Sequence, residues 1–266
     1  MGKTFGFIGC GNMGGALAKA VSEAGYKNDI LLADINTARV KSLAEEISAE
    51  PSDAQSVAAE CKFIFIGVKP QMIAECFDSI KNALNTRTDK PVIVSMAAGV
   101  AVSRIKELSM IDSVIRIMPN MPVSVGSGVV LATAEGISDA EKNEFENAMS
   151  KSGIFDWIEE KFIDAASALS GCGPAFAYMF AQALSDGAVA CGLPRDKAIL
   201  YAAGTLLGSA KMILETGKHP EKLKDEVCSP GGSTIMGVKA LEDDGMRGAA
   251  ISAVVAAYER TKELGK

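Results

Sequence analysis

The sequence predicts an α/β domain with a mainly parallel sheet, followed by an all-α domain. Short, near-continuously apolar runs alternate with amphipathic helical segments over the first 160 residues, the pattern of a parallel sheet covered by helices. Strand-like runs stop near Lys161, and the segment 161–210 is instead dense in alanine and glycine, which lets helix axes approach closely. A chain of 266 residues is also long for one core. The expected boundary gives a sheet domain over 1–160 and a helical domain over 161–266.

Taken in order, "TFGFIG" reads as a first strand, and a helix is expected from about Asn12 to Ala24. "ILLAD" is a second strand, followed by the helix "TARVKSLAEEI" with Val40, Leu43, Ala44 and Ile47 on one face. "KFIFIGV" and "PVIVSMA" are apolar on both faces, as central parallel strands are. "SVIRIMP" and "GVVLATA" follow as strands, then the amphipathic helix "DAEKNEFENAMSKS" and the strand "IFDWI". Residues 165–185 carry no charge and are long enough to span a bilayer. Their glycines, alanines and serines predict instead a helix buried inside a protein, because lipid-facing segments favour Leu, Ile, Val and Phe.

Composition excludes several classes. A net charge of −6 and the lack of a basic run argue against nucleic acid and anionic membrane as partners. No secretory signal is read at the N-terminus, and a cytoplasmic protein is expected. The six cysteines, Cys10, Cys61, Cys76, Cys172, Cys191 and Cys228, show no metal-ligand spacing and predict reduced thiols and no metal site. His219 is the single histidine, which removes His-cluster metal sites; beside Pro220 it reads as a helix cap.

"GFIGCGNMGG" fits G-x-G-x-x-G at Gly9, Gly11 and Gly14, directly after a strand and opening a helix. The first glycine permits a sharp turn, the second lets a pyrophosphate approach the backbone, and the third lets helix and strand pack closely. The helix N-terminus offers unpaired N–H groups and partial positive charge to the phosphates. Asp34 ends the second strand, where a carboxylate accepts from the adenosine ribose; repulsion of a 2′-phosphate tilts the expected cofactor toward NADH within NAD(P)H. Asn36, Thr37 and Arg39 leave NADPH open, and Asp34 also fits a plain helix N-terminal carboxylate.

"GVKP" (67–70), "MAAGV" (96–100) and "MPNMP" (118–122) lie at carboxyl ends of expected strands, the ligand edge of open α/β sheets. Pro70 equally fits a helix start with Lys69 solvated. "CSPGGST" (228–234) forms a tight connection between two helical segments. Its hydroxyls fit either an ordinary Ser/Thr N-cap or a ligand loop.

With these residues assembled, the chain resembles the pyrroline-5-carboxylate reductase family, which reduces a cyclic imine to L-proline with NAD(P)H in the last step of proline biosynthesis. The resemblance runs from "GFIGCGNMG" through "VKP", "AAGV" and "MPN" to "LSGCGPAFAY", "GLPRDKA", "GSAKMILETGKHPEKLKDEVCSPGGSTI" and "LEDDGMRGA", nearly the whole chain. It implies a Rossmann domain followed by a helical substrate-binding and dimerisation domain, so the expected partners are a cyclic imine carboxylate and a second copy of the chain. Position by position, it implies Ile8, Gly9, Cys10, Gly11, Asn12 and Met13 along the pyrophosphate, and Val68, Lys69, Met96 and Ala98 along the dinucleotide. Gly14, Asp34, Pro70, Ala97 and Asn120 are counted to the same cofactor site. Ser229, Gly232, Ser233 and Thr234 are expected to bind substrate, with Gly232 and Ser233 amides on its carboxylate and the Thr234 hydroxyl at the ring nitrogen as the catalytic contact. Cys172, Phe176 and Met121 depart from the family's usual Ser, Tyr and Thr.

Two rivals are of different kinds. An imine or hydroxyacid oxidoreductase shares the two-domain plan, but β-hydroxyacid dehydrogenases rely on a lysine in the first long helix after the linker, and none occurs between Lys161 and Lys197. A non-catalytic NAD-sensing scaffold shares the fold; the intact "SPGGST" loop speaks against it.

Overall fold

In the computed structural model, which describes residues 2–264, eight strands form one sheet in the order β3-β2-β1-β4-β5-β6-β7-β8. In chain order, β1 (Phe5–Ile8), α1 (Asn12–Val21), β2 (Ile30–Ala33), α2 (Thr37–Ile47), β3 (Glu50–Pro51), α3 (Ala54–Glu60) and β4 (Phe63–Ile66) build one half. The other half is α4 (Ile73–Thr86), β5 (Val92–Ser95), α5 (Val102–Ser109), β6 (Val114–Pro119), β7 (Gly128–Glu135), α6 (Asp139–Met149) and β8 (Gly153–Trp157). All neighbours run parallel except β6 and β7, which form an antiparallel pair. The strand order reverses between β1 and β4, so the carboxyl ends of these two strands form the crevice in which such sheets bind ligands.

The central strands are apolar throughout because both faces are covered. Phe5 and Phe7 of β1 and Phe63 and Phe65 of β4 point to one face, and Ile8, Ile64 and Ile66 to the other. Phe5 stacks on Phe63 at 5.2 Å and Phe7 on Phe65 at 4.3 Å, and Phe145 of α6 closes over Phe63 and Phe65 at 5.7 and 5.8 Å. The start of α6 is fixed by a capping box between Ser138 and Glu141, so the ring of Phe145 arrives over the ladder in register.

Two local expectations need correction. The first helix does not run regularly to Ala24. Its α geometry ends at Val21 and continues as a wider π turn over Ser22–Tyr26, with Gly25 at φ 110°. Residues 165–185 do not form one buried helix either. The chain breaks at Gly171–Cys172 between α7 (Glu160–Ser170) and α8 (Gly173–Ala190), and in α8 only Ser185 is buried. The reason is that α8 packs on α9 (Arg195–Thr216) and otherwise leaves its large side chains bare, Tyr178 and Met179 among them. Among the described residues α9 is the one helix long and apolar enough to cross a membrane by length and composition.

By packing, the chain forms two compact units, one through Cys172 that also takes in the chain from Ala257, the other Gly173–Ala256. The sheet unit thus extends beyond residue 160, because α7 is bound to the sheet: Ile163 packs with Met118 and Leu131, and Arg116 of β6 pairs with Glu160 and Asp164. The helical unit holds α8, α9, α10 (Pro220–Glu226), α11 (Ser233–Asp243) and most of α12 (Met246–Leu264).

Phe145→Ala removes the ring that covers the aromatic ladder and is expected to destabilise the sheet unit by about 3–5 kcal/mol. Urea unfolding followed by circular dichroism and by the fluorescence of Trp157, the single tryptophan, measures this; a loss under about 1 kcal/mol would show that the ladder does not organise the core.

Candidate functional site

The three glycines after β1 do three separable jobs. Gly9 sits at φ 97°, and a Cβ there would lie 2.7 Å from the carbonyl carbon and oxygen of Gly67. A Cβ at Gly14 would overlap the Gly9 carbonyl, so the helix can sit this close to the strand only without one. Gly11 is different. It has an ordinary φ of −60°, and a Cβ built there meets nothing within 4 Å. Neither backbone conformation nor packing within the chain requires a glycine at this position, whereas a ligand approaching the backbone would. That is the fit a pyrophosphate needs.

Gly11 is also the N-cap of α1, and no side chain caps the helix. Its first-turn N–H groups are thereby left to an anion. The neighbouring side chains are placed differently from one another. Ile8 and Cys10 are buried, Met13 is half-buried, and Asn12 is exposed with its Oδ1 accepting from Arg39 Nη2 at 3.0 Å. Burial, with the Asp34 carboxylate adding to it, pushes the Cys10 thiol up to about 12, so it is a protonated packing group at neutral pH.

Asp34 ties the loop together. Its Oδ2 accepts from Cys10 N at 2.7 Å and its Oδ1 from Asn36 N at 2.9 Å, which fixes the spacing between the β1 and β2 ends. Asn36, not Asp34, caps α2, through a bond from Arg39 N. Asp34 stands just before that cap, a carboxylate at the helix N-terminus that bonds the backbone of the cap residue. A cavity of about 380 Å³ lined by Cys10, Asn12, Lys19, Arg39 and Met121 lies on one side of this loop, and another of about 380 Å³ is lined by Asp34, Thr37, Lys41, Ser52 and Asp53.

The other strand ends gather at the same sheet edge. Gly67 N donates to Ile8 O at 2.7 Å, which brings Val68 and Lys69 beside the glycine loop. Lys69 is exposed and precedes a 3-10 turn over Pro70–Met72, so Pro70 does begin a helical turn, with Lys69 left solvated. Met96 and Ala98 lie in the loop after β5 while the Ala97 side chain is buried. Asn120 is buried at the end of β6. Its Nδ2 donates to Ser170 O and its Oδ1 accepts from Val129 N, both at 2.9 Å, so it holds the strand end to α7 and β7. Sequence reasoning missed the Arg116–Glu160–Asp164 cluster; its only signal was a charged residue inside an apolar strand.

In the helical unit, "CSPGGST" joins α10 to α11. Gly231 takes φ 69°, and Gly232 is the N-cap of α11 with no side-chain cap; a Cβ on Gly232 would meet the Ser229 hydroxyl. Ser233 and Thr234 are the first and second helical residues, both exposed. They are not N-caps, so the ordinary capping role does not account for their hydroxyls. His219 does cap α10, its Nδ1 accepting from Glu221 N at 3.3 Å.

Gly11→Ala is expected to leave stability within about 0.5 kcal/mol of the parent while weakening dinucleotide binding at least about tenfold, since only the ligand approaches this side. Gly9→Ala, strained and overlapping Gly67, is expected to lower the melting temperature outright. Thermal melts paired with dinucleotide titrations separate the two; equal stability losses would refute the division of roles.

Residues 160–264 match the family model for pyrroline-5-carboxylate reductase dimerisation, and residues 4–99 match that for coenzyme F420-dependent NADP oxidoreductases. A pyrroline-5-carboxylate reductase of Pisum sativum is 38% identical over 264 residues, covering 98% of this chain and 96% of the relative. One from Escherichia coli K12 is 36% identical over the full length of both chains. Among solved structures, the Coxiella burnetii pyrroline-5-carboxylate reductase superposes with a TM-score of 0.91 at 31% identity, covering 100% of both chains. The Plasmodium falciparum pyrroline carboxylate reductase with NADP bound gives 0.85 at 29% identity, covering 99% of this chain and 98% of that one. On glycine loop, sheet, helical unit and full-length similarity together, the chain belongs to the pyrroline-5-carboxylate reductase family.

Proposed function

We propose that this protein reduces 1-pyrroline-5-carboxylate to L-proline with NAD(P)H, closing a proline biosynthetic route. The single observation that carries the reading is full-length similarity to pyrroline-5-carboxylate reductases. The glycine-headed α1 supports it on the cofactor side and the glycine-headed α11 on the substrate side. No feature favours a hydroxyacid oxidoreductase over this reading.

When bound, the reduced nicotinamide supplies a hydride. The chain's own residues then have modest tasks. The uncapped N–H groups at the start of α1, reached across Gly11, hold the pyrophosphate, and Asp34 accepts from the adenosine ribose. Val68, Lys69, Pro70, Met96, Ala97, Ala98 and Asn120 border the rest of the dinucleotide. The uncapped amides of α11 at Gly232 and Ser233 bind the substrate carboxylate beside Ser229, with Pro230 stiffening the approach. A protonated C=N bond is already electrophilic. On hydride addition to its carbon the π pair moves to nitrogen, which keeps its proton, so no covalent nucleophile is needed. Thr234 orients that nitrogen through its hydroxyl, and the lack of a catalytic histidine is expected.

Within NAD(P)H we infer a modest preference for NADH. Asp34 and Asp53 both border the cavity beside the β2 end, and the Arg39 guanidinium is engaged with Asn12. The family model over 160–264 and the bare apolar side chains of the helical unit, Tyr178, Leu200, Leu207 and Leu214 among them, support self-association as at least a dimer. Six free thiols fit a cytoplasmic enzyme.

Consumption of NAD(P)H followed at 340 nm with the cyclic imine tests the activity, and no oxidation with either cofactor would exclude it. Thr234→Ala is expected to lower turnover about 10- to 150-fold, the worth of one hydrogen bond to a charged group, with dinucleotide affinity unchanged. Unaltered kinetics would remove Thr234 from the mechanism. Steady-state comparison of the two cofactors should give the higher kcat/KM with NADH; equal or better efficiency with NADPH contradicts the reading of Asp34.

A further inference from the structure

Resting on the reading that Met96–Ala98 line the dinucleotide, we propose that Glu160, locked by Arg116, is a positioning residue for the loop Met96–Ala101. Arg116 stands on β6 between Ser95 of β5 and Thr133 of β7 and is only 4% exposed. A guanidinium taken this far from water needs partners with well-directed acceptors. It has two, one turn apart on α7: Nη1 donates to Glu160 Oε1 and Nη2 to Asp164 Oδ1, each at 3.1 Å. Its Nε is buried with no partner among the described residues, so these two carboxylates carry the whole pairing.

The two carboxylates are not equivalent. Glu160 Oε1 also accepts from the backbone N–H of Val102 at 2.8 Å, and Val102 is the first residue of α5. No side chain of the neighbouring Ala101 caps that helix. Glu160 therefore fixes the far end of the loop whose near end leaves β5 at Ser95. Between these ends the loop holds itself weakly. Met96 N to Ile66 O is 3.5 Å, Ala97 N to Ser95 Oγ is 3.3 Å, and Val100 N to Ala97 O is 3.4 Å, all at the long limit for such bonds. Gly99 at φ 74° adds freedom inside it. A loop this loosely bonded keeps its place through its anchors, and Glu160 is the anchor that the start of the helical segment supplies.

Asp164 separates positioning from mere structural support, since it holds the same guanidinium but bonds no part of the loop. Glu160→Ala is expected to weaken dinucleotide binding about tenfold, by lowering the fraction of protein with the loop in its binding-competent place. Glu160→Gln, whose amide oxygen still accepts from Val102 N–H, should stay within about threefold of the parent. Asp164→Asn should lower the melting temperature yet leave dinucleotide affinity within about twofold. Hydrogen–deuterium exchange of the cofactor-free proteins gives a readout independent of turnover: the segment 96–105 exchanges faster in Glu160→Ala and at the parental rate in Asp164→Asn. Equal affinity in Glu160→Ala and parent, or equal weakening by Glu160→Ala and Asp164→Asn, overturns the proposal. Ala98→Leu distinguishes its failure from that of the underlying reading. A bulky side chain at this exposed position weakens dinucleotide binding if the loop borders the cofactor, and no effect there refutes the border itself.

Discussion

Two helices in this chain begin with a glycine where a capping side chain would normally stand, and the proposed chemistry rests on the backbone N–H groups this leaves free. Four other helices are capped by a side chain, while α4, α5, α7 and α9 start without one from Met72, Ala101, Glu159 and Pro194. Asn36 serves α2, Asp53 serves α3, Ser138 serves α6 and His219 serves α10. Helices α1 and α11 have Gly11 and Gly232 instead, with no side-chain bond to their first turns. An uncapped helix start concentrates unpaired donors and about half a positive charge, which suits a pyrophosphate in one case and a carboxylate in the other.

The rest of the sheet unit keeps the first of these ends in place. Gly9 and Gly67 meet at the reversal of strand order, where neither can carry a Cβ, and Asp34 bridges the β1 loop to the start of the next helix. Behind them the stacked Phe5, Phe7, Phe63 and Phe65 under Phe145 make the strand pair stiff, since close-packed aromatic cores resist local shifts. In the helical unit, Gly231 at positive φ and Pro230 shape the approach to α11, so the second helix end is set by backbone chemistry as well.

Much of this was legible in order along the chain, because the governing signals are local. Runs such as "FIFI" and "VIVS" admit only doubly covered strands, and Gly9, Gly11 and Gly14 are read by spacing. What escaped was decided by pairing in three dimensions. Arg116 looks like an error inside a strand until Glu160 and Asp164 are seen beside it, and these same contacts carry α7 into the sheet unit past residue 160. The hold that Asn120 keeps on Ser170 and Val129 was likewise not legible in the sequence. The uncharged stretch 165–185 gave the right composition for close helix packing, but burial is set by what covers a helix, and Tyr178 and Met179 are bare in the single chain.

A crystal structure with the dinucleotide and L-proline bound would reveal whether backbone amides at the two glycine-headed helix starts hold the two anions. The proline carboxylate is expected to accept hydrogen bonds from backbone N–H groups at Gly232–Thr234, and the pyrophosphate from those at the start of α1. A carboxylate held instead by a lysine or arginine side chain, with the first turn of α11 facing only water, would contradict it.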